Sequence, residues 1–278
     1  MSGVIAVALV IAVSPAAAAT TYSPPPTYQA GDYGAGQVMS INPPGENGLV
    51  NAADLAGFQL TGRRPPASDD QLGEYAGLLY GYPKLTDATL GTYYNDESFG
   101  VRPGDITRTE HPSSAEPVVI YRDTHDIPHV YGQTDAAMAY GAGYAQAEDR
   151  LFLMDVLRHY GEGTLSAFLG PSCADEQMDH DQLLLAPYTR QQAQAQVDAL
   201  PQRYGGEGQR AKDLIDSYVA GVNAYVARTA TDPSKLPADY TAALQPPRPW
   251  TGADVVYVAS LIGGIFGDGG GTETRNAA

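Results

Sequence analysis

The chain has 278 residues, 43% of them hydrophobic, enough for one large domain or two small ones with a buried core and too many for a disordered chain. Sixteen Lys and Arg stand against 32 Asp and Glu, a net charge of −16, so the surface repels phosphate backbones and nucleic acid is not an expected partner. The single cysteine, Cys173, excludes an intrachain disulfide and a cysteine-cluster zinc site.

Val4 to Val13 reads VIAVALVIAV, and Ser14, Pro15 and the small residues Ala16 to Ala19 follow. An apolar run and then an A-x-A-like site predict a signal peptide over 1–19, cleaved near Ala19, although no Lys or Arg precedes the run. The run is too short for a bilayer, which takes about 20 residues, so no membrane span is expected after cleavage. Export to the periplasm or medium is the expected destination. Residues 20–116 read as a Pro/Gly/Tyr-rich arm and a loop-rich extension. Pro24, Pro25 and Pro26 favour extended polyproline, and from Gly45 to Glu116 short apolar pieces alternate with turn residues.

From Pro117 the texture changes. Val118-Val119-Ile120-Tyr121 and Ile127 to Tyr131 predict two strands joined by a polar turn, a hairpin whose second strand, with Pro128, is an edge strand. Thr134 or Asp135 then caps a long helix, with Gly161 and Gly163 as its stop signals. Along it Tyr140, Tyr144, Ala147, Leu151, Met154 and Leu157 recur at spacings of three and four, which makes one face apolar. Gly141 and Gly143 allow close backbone approach, expected here to be to a sheet. Further helices are predicted over Leu165–Leu169, Gln191–Leu200, Gly208–Arg228 and Ala253–Phe266, the last capped by Thr251.

The sites of possible chemistry each have a plain structural reading. His125 and His129 imitate a zinc-protease pair, but that motif needs a helix, and Pro128 and the flanking strands forbid one. The polar cluster from Cys173 to Asp181 reads as a solvated connection between helices. Glu148, Asp149 and Arg150 interrupt the apolar long helix, where a carboxylate beside a guanidinium fixes a buried crossing. The glycines from Gly263 to Gly271 lack the Lys-Ser or Lys-Thr of a phosphate loop and suit a tight turn beside a ligand, with Asp268 and Glu273 as oxygen donors. No serine lies in a nucleophile motif.

Asp123, Ile127-Pro128-His129, Gly143-Tyr144, Ala147, Asp149-Arg150-Leu151, Met154, Arg158, Gly163-Thr164-Leu165 and Leu169-Gly170 occur in that order. In this the stretch resembles the start of the penicillin acylase family, and Tyr218 to Val226 and Pro247 to Gly263 are similar to later parts of that family's first chain. The likeness covers about 117–278. The family has Gly where Asp126 stands, which puts the local turn in question.

The resemblance implies an α+β fold, the helical first-chain part of an N-terminal-nucleophile hydrolase αββα sandwich, incomplete without the second chain. It implies an exported zymogen that cuts itself by autoproteolysis. The new N-terminal Ser of the second chain, outside this sequence, then hydrolyses the amide of a small acylated amine, such as a β-lactam side chain or an acyl-homoserine lactone. This chain then carries no catalytic residue and is inactive alone. Ile262 and Phe266 are implied as acyl-pocket residues and Glu273 as one ligand of Ca²⁺ whose other ligands lie in the second chain. His129, Asp149 and Arg150 are implied as a structural motif. No organic cofactor is implied. The alternative is a non-catalytic exported scaffold that keeps the first-chain fold.

Overall fold

The computed structural model describes residues 39–40, 49–65, 70–92, 95–96, 101, 103–124 and 126–267. The signal-peptide, Asp268 and Glu273 expectations, and His125, lie outside them.

The expected hairpin forms. β4 (Val118–Arg122) pairs antiparallel with β5 (Pro128–Gly132), with Val118 opposite Gly132 and Arg122 opposite Pro128. Asp126 in its turn has φ +59°, a left-handed conformation that favours glycine. β3 (Arg108–Glu110), from the extension, pairs with the other edge of β4, placing Arg108 opposite Arg122. β4 is therefore central and buried at every residue, while β5 is an edge strand. Two-residue strands β1 (Met39–Ser40) and β2 (Asn95–Asp96) form a separate antiparallel pair.

The extension is not only loops. α1 (Ala52–Thr61) and α2 (Asp70–Gly81) are helices. Asn51 and Asp54 close a reciprocal capping box on α1, and Gly62 ends it. Asn51 also ties α1 to the later chain by donating to the Ser234 carbonyl, and the Val50 carbonyl accepts from Ala238. Val101 and Ile106 cover Val119, Tyr121 and Tyr131 on one face of the sheet.

The other face receives α3 (Asp135–Glu162). The Thr134 hydroxyl accepts the Ala137 N–H at its start, and Gly163, at φ +71°, closes it. Ile120 joins Tyr144, Leu151, Met154, Val222, Tyr225 and Trp250 in the main core. The partner helix is α7 (Leu200–Thr231), which starts eight residues before the predicted Gly208; Gly205, at φ +58°, breaks it. The two helices cross through a reciprocal pair of glycines. A Cβ on Gly143 would strike the Tyr218 carbonyl, and one on Gly221 the Tyr140 carbonyl. Gly141 faces Val118 and Val130 of the sheet as expected, but the approach at Gly143 is to a helix.

α4 (Leu165–Leu169) follows α3, and then α5 (Cys173–Leu185), where a solvated connection was expected. Ser172 caps α5 by accepting the Asp175 N–H. Asp179, within that polar cluster, is buried and accepts the Leu165 and Ser166 N–H groups at 2.6 and 2.9 Å, so it caps α4. α6 (Arg190–Asp198), α8 (Asp239–Ala243) and α9 (Gly252–Gly267) complete the described chain. The described chain is mostly helical, with a three-stranded sheet and the separate β1–β2 pair. No described helix is long and apolar enough to cross a membrane.

Candidate functional site

Two buried polar networks organise the helices, and each bears on a different surface. The first surrounds Arg122, the last residue of β4, whose side chain is wholly buried. Its Nε donates to Glu110 Oε1 at 2.8 Å, Nη2 to Glu148 Oε2 at 2.9 Å, and Nη1 to Asp149 Oδ1 at 2.8 Å and to the Asp126 carbonyl at 3.0 Å. One guanidinium thus gathers β3, the hairpin turn and α3.

Burial works against the Arg122 charge, but the three carboxylates outweigh it and raise its pKa. Burial lifts the Asp149 carboxyl to about 7 against the pull of Arg122. Burial and neighbouring Glu110 raise Glu148, and Arg122 partly offsets them. For Glu110 burial also pushes upward, but the nearness of the Glu148 carboxyl, whose own pKa is raised, and the charge of Arg122 hold it low.

The expected Asp149–Arg150 clasp is therefore replaced. Arg150 has φ −143°, ψ 27°, off the helical path, and its Nη1 donates to the Asp149 backbone carbonyl at 2.8 Å. Adjacent residues do not face each other on a helix, so the Asp149 side chain meets Arg122 across the sheet junction. His129 serves the hairpin: its Nε2 lies 3.1 Å from Asp123 Oδ2, while Asp123 Oδ1 accepts the Ile127 N–H. Among the described residues no group of three or more His, Cys, Asp or Glu is placed to hold a metal ion.

The second network sets the direction of α9. Asp155, buried on α3, accepts from the Tyr240 hydroxyl at 2.7 Å and from Trp250 Nε1 at 3.0 Å, and pairs with Arg158. Arg158 packs over the Trp250 ring, 5.1 Å from its centroid, and donates to the Arg248 carbonyl. Asp254, in the first turn of α9, accepts the Thr251 N–H at 2.7 Å and takes Arg190 at 2.7 Å and Arg248 at 3.3 Å on its other oxygen. Thr251 sits at the cap position as expected, directly before α9, and both its amide and its hydroxyl donate to Asp254 Oδ2. With its start held by two arginines, α9 buries Ala253, Tyr257 and Leu261 and then emerges. Ile262, Ile265 and Phe266 are 37%, 54% and 81% exposed. Ile262 and Phe266 thus lie one turn apart on the emerging end, an uncovered apolar ridge on a fixed base.

The sequence reading missed Glu110 and the centring of both networks on Arg122 and Asp155. Asn-x-x-Asp at 51–54 and Ser-x-x-Asp at 172–175 are cap signals that mark the overlooked helices α1 and α5. Nothing local marks Glu110, whose partner is 12 residues away across a strand pair.

The penicillin amidase family model matches residues 117–278. The penicillin acylase 2 proenzyme of Pseudomonas sp. SE83 is 30% identical over 156 residues, 56% of this chain and 18% of that protein. Penicillin G acylase of Escherichia coli is 27% identical over 146 residues, 52% of this chain and 16% of that one. The acyl-homoserine lactone acylase QuiP of Pseudomonas syringae pv. syringae is 28% identical over 148 residues, 53% and 16%. Among solved structures, a thermostable penicillin G acylase from Alcaligenes faecalis matches with a TM-score of 0.48 and 32% identity, covering 55% of this chain and 76% of that one. The chain spans less than a fifth of the length of these curated relatives.

Proposed function

The chain belongs to the penicillin amidase family, and we propose that it is the first-chain portion of an exported amidohydrolase that cleaves the amide of a small acylated amine. The observation that carries this reading is the family match across 117–278. The anchored, uncovered ridge of α9 adds to it.

In this proposal the nucleophile is the N-terminal Ser of a second chain, freed by self-cleavage of the precursor. Its hydroxyl oxygen attacks the amide carbon, and the hydroxyl proton passes to its own α-amine, whose pKa of about 8 suits it as a base near neutrality. Donors of an oxyanion hole on the second chain hold the tetrahedral oxygen. Collapse breaks the C–N bond, the amine leaves with the proton, and water then cleaves the acyl ester to a carboxylic acid. The described residues contribute position: the Asp155 and Asp254 networks hold α9 so that Ile262 and Phe266 form one wall of the acyl pocket. The second chain completes an αββα sandwich around the sheet.

Glu273 is proposed as one oxygen ligand of a Ca²⁺ shared with the second chain, where the ion would brace the assembly. That glutamate lies outside the described residues, which hold no cluster of three or more His, Cys, Asp or Glu placed for a metal, so no chemical step is assigned to the ion. Export follows from the apolar segment at 4–13.

Hydrolysis of anilides with acyl groups of graded length by the 278-residue chain alone, and by the product of any reading frame that continues past residue 278, tests the proposal. The expected result is turnover only by the longer product. Turnover by the 278-residue chain places the nucleophile inside it, and none by either supports a non-catalytic scaffold.

A further inference from the structure

A second surface stands apart from the α9 ridge. A cleft of about 500 Å³ opens between the extension strand at Arg108 and Glu110 and the family domain at Tyr144, Glu148, Arg228 and Lys235. One wall precedes residue 117, so the cleft exists only where the extension is packed on the domain.

Its charges are layered. Glu148, on the floor, is 1% exposed. Its Oε2 is taken by Arg122, but Oε1 is buried with no hydrogen-bond partner. The Lys235 ammonium lies 3.6 Å from Oε1, beyond hydrogen-bond reach. A buried acceptor without a donor is a place where a ligand gains more than its exposed counterpart would. Arg228, beside it, donates to the neutral phenol of Tyr144, and among the described residues it has no ion pair. On the cleft wall Arg108 is taken up by Glu110, Asp126 and Glu148, which leaves Arg228 as the lining cation outside any ion pair among the described residues, on a chain whose net charge is −16. A surplus cation there is a local reversal of the protein's field and suits a monoanion.

We propose that this cleft binds a small carboxylate bearing an O–H or N–H donor on the adjacent carbon, an α-hydroxy or α-amino acid. The carboxylate sits on Arg228 and Lys235, and the adjacent donor reaches Glu148 Oε1. Arg228 supplies the planar fork that a carboxylate matches. The proposal is independent of the amidase reading, because none of these residues belongs to the α9 ridge.

Lactate, alanine and propionate share one carbon skeleton and test both halves of it by calorimetric titration of the full chain. Lactate and alanine are expected to bind with millimolar Kd and to raise the Tm. Propionate, which lacks the donor, is expected to bind about tenfold more weakly. Arg228→Met, and separately Lys235→Met at the cleft mouth, should weaken lactate about tenfold or more. If one variant fails to fold, the other and the propionate comparison still decide. Absence of lactate and alanine binding by the parent overturns the site. Equal binding by the parent and a folded Arg228→Met overturns the carboxylate anchor, and propionate binding as tightly as lactate overturns the role of Glu148.

Discussion

Arg122 on the central strand and Asp149 on α3, 27 residues apart in sequence, meet at 2.8 Å beside the residue where α3 leaves helical geometry. The contact joins the hairpin to the long helix, and Glu110 brings the extension to the same guanidinium. The extension thus contributes a strand, a carboxylate and the apolar cover of Val101 and Ile106. Its described residues from Val101 to Glu110 are thus packed into the same folded unit as the hairpin.

Arg122→Leu should be among the most damaging single changes. It leaves Glu110, Glu148 and Asp149 without their common partner, and a broken buried pair costs about 3–5 kcal/mol. Arg150→Ala leaves the Arg122–Asp149 pair in place and should cost less, about 1 kcal/mol. Urea denaturation of the two variants against the parent checks the order. A larger loss for Arg150→Ala would restore the clasp that the sequence suggested.

Gly221→Ala should disrupt the fold although alanine is the better helix former by about 1 kcal/mol. Its Cβ would meet the backbone carbonyl of Tyr140, which cannot move aside without parting α3 from α7. Gly206, also in α7, has open space around its missing Cβ, so Gly206→Ala should be neutral or mildly stabilising. Tm values for the two variants separate a packing effect from a propensity effect.

His159 gives a pH signature. Burial, with Arg158 and Arg248 nearby, lowers its pKa from 6.5 to about 4, and its ring stacks on Phe168 at 4.3 Å. Below pH 6.5 the unfolded chain takes up a proton that the folded chain refuses until about pH 4, so this group's stabilisation falls as pH falls through that window. Asp149, raised to about 7, acts with the opposite sign: its contribution falls as pH rises from about 4 to 7. His159→Gln should therefore lose less stability than the parent on going from pH 6.5 to 4.5, whatever its stability at neutral pH. Parallel denaturation curves for parent and variant across those pH values would show that His159 titrates normally.

Phe266→Ala probes the α9 ridge in the proposed two-chain enzyme. Phe266 is exposed in this chain, so the Tm of the chain alone should change by less than the equivalent of about 0.5 kcal/mol. Relative rates across acyl lengths should shift several-fold, since one or two methylene contacts in a pocket discriminate by about tenfold or more. Unchanged relative rates would remove Phe266 from the pocket.

The legible parts of the fold were those whose signals are local and periodic. The hairpin, the Thr134 cap, the Gly163 stop and the apolar stripe of α3 are written in spacings of two, three and four. β3 was not legible, because Arg-Thr-Glu has no apolar alternation and becomes a strand by pairing with β4. Arg122 read as part of a turn because its value comes from three carboxylates scattered from 110 to 149. Asp126 stands where the family pattern has glycine, and it adopts φ +59°, a conformation that glycine favours. The ridge residues Ile262 and Phe266 were placed by resemblance to relatives; the helix and its exposure are physical, but their role needs the second chain.

The most direct test of the first-chain account is the intact mass and N-terminal sequence of the mature protein purified from the natural reading frame continued past residue 278. The account predicts two chains, the larger beginning with Ser, and loss of both cleavage and amide hydrolysis when that Ser is changed to Ala. A single uncut chain that hydrolyses amides would contradict it, as would a second chain that begins with any residue other than Ser.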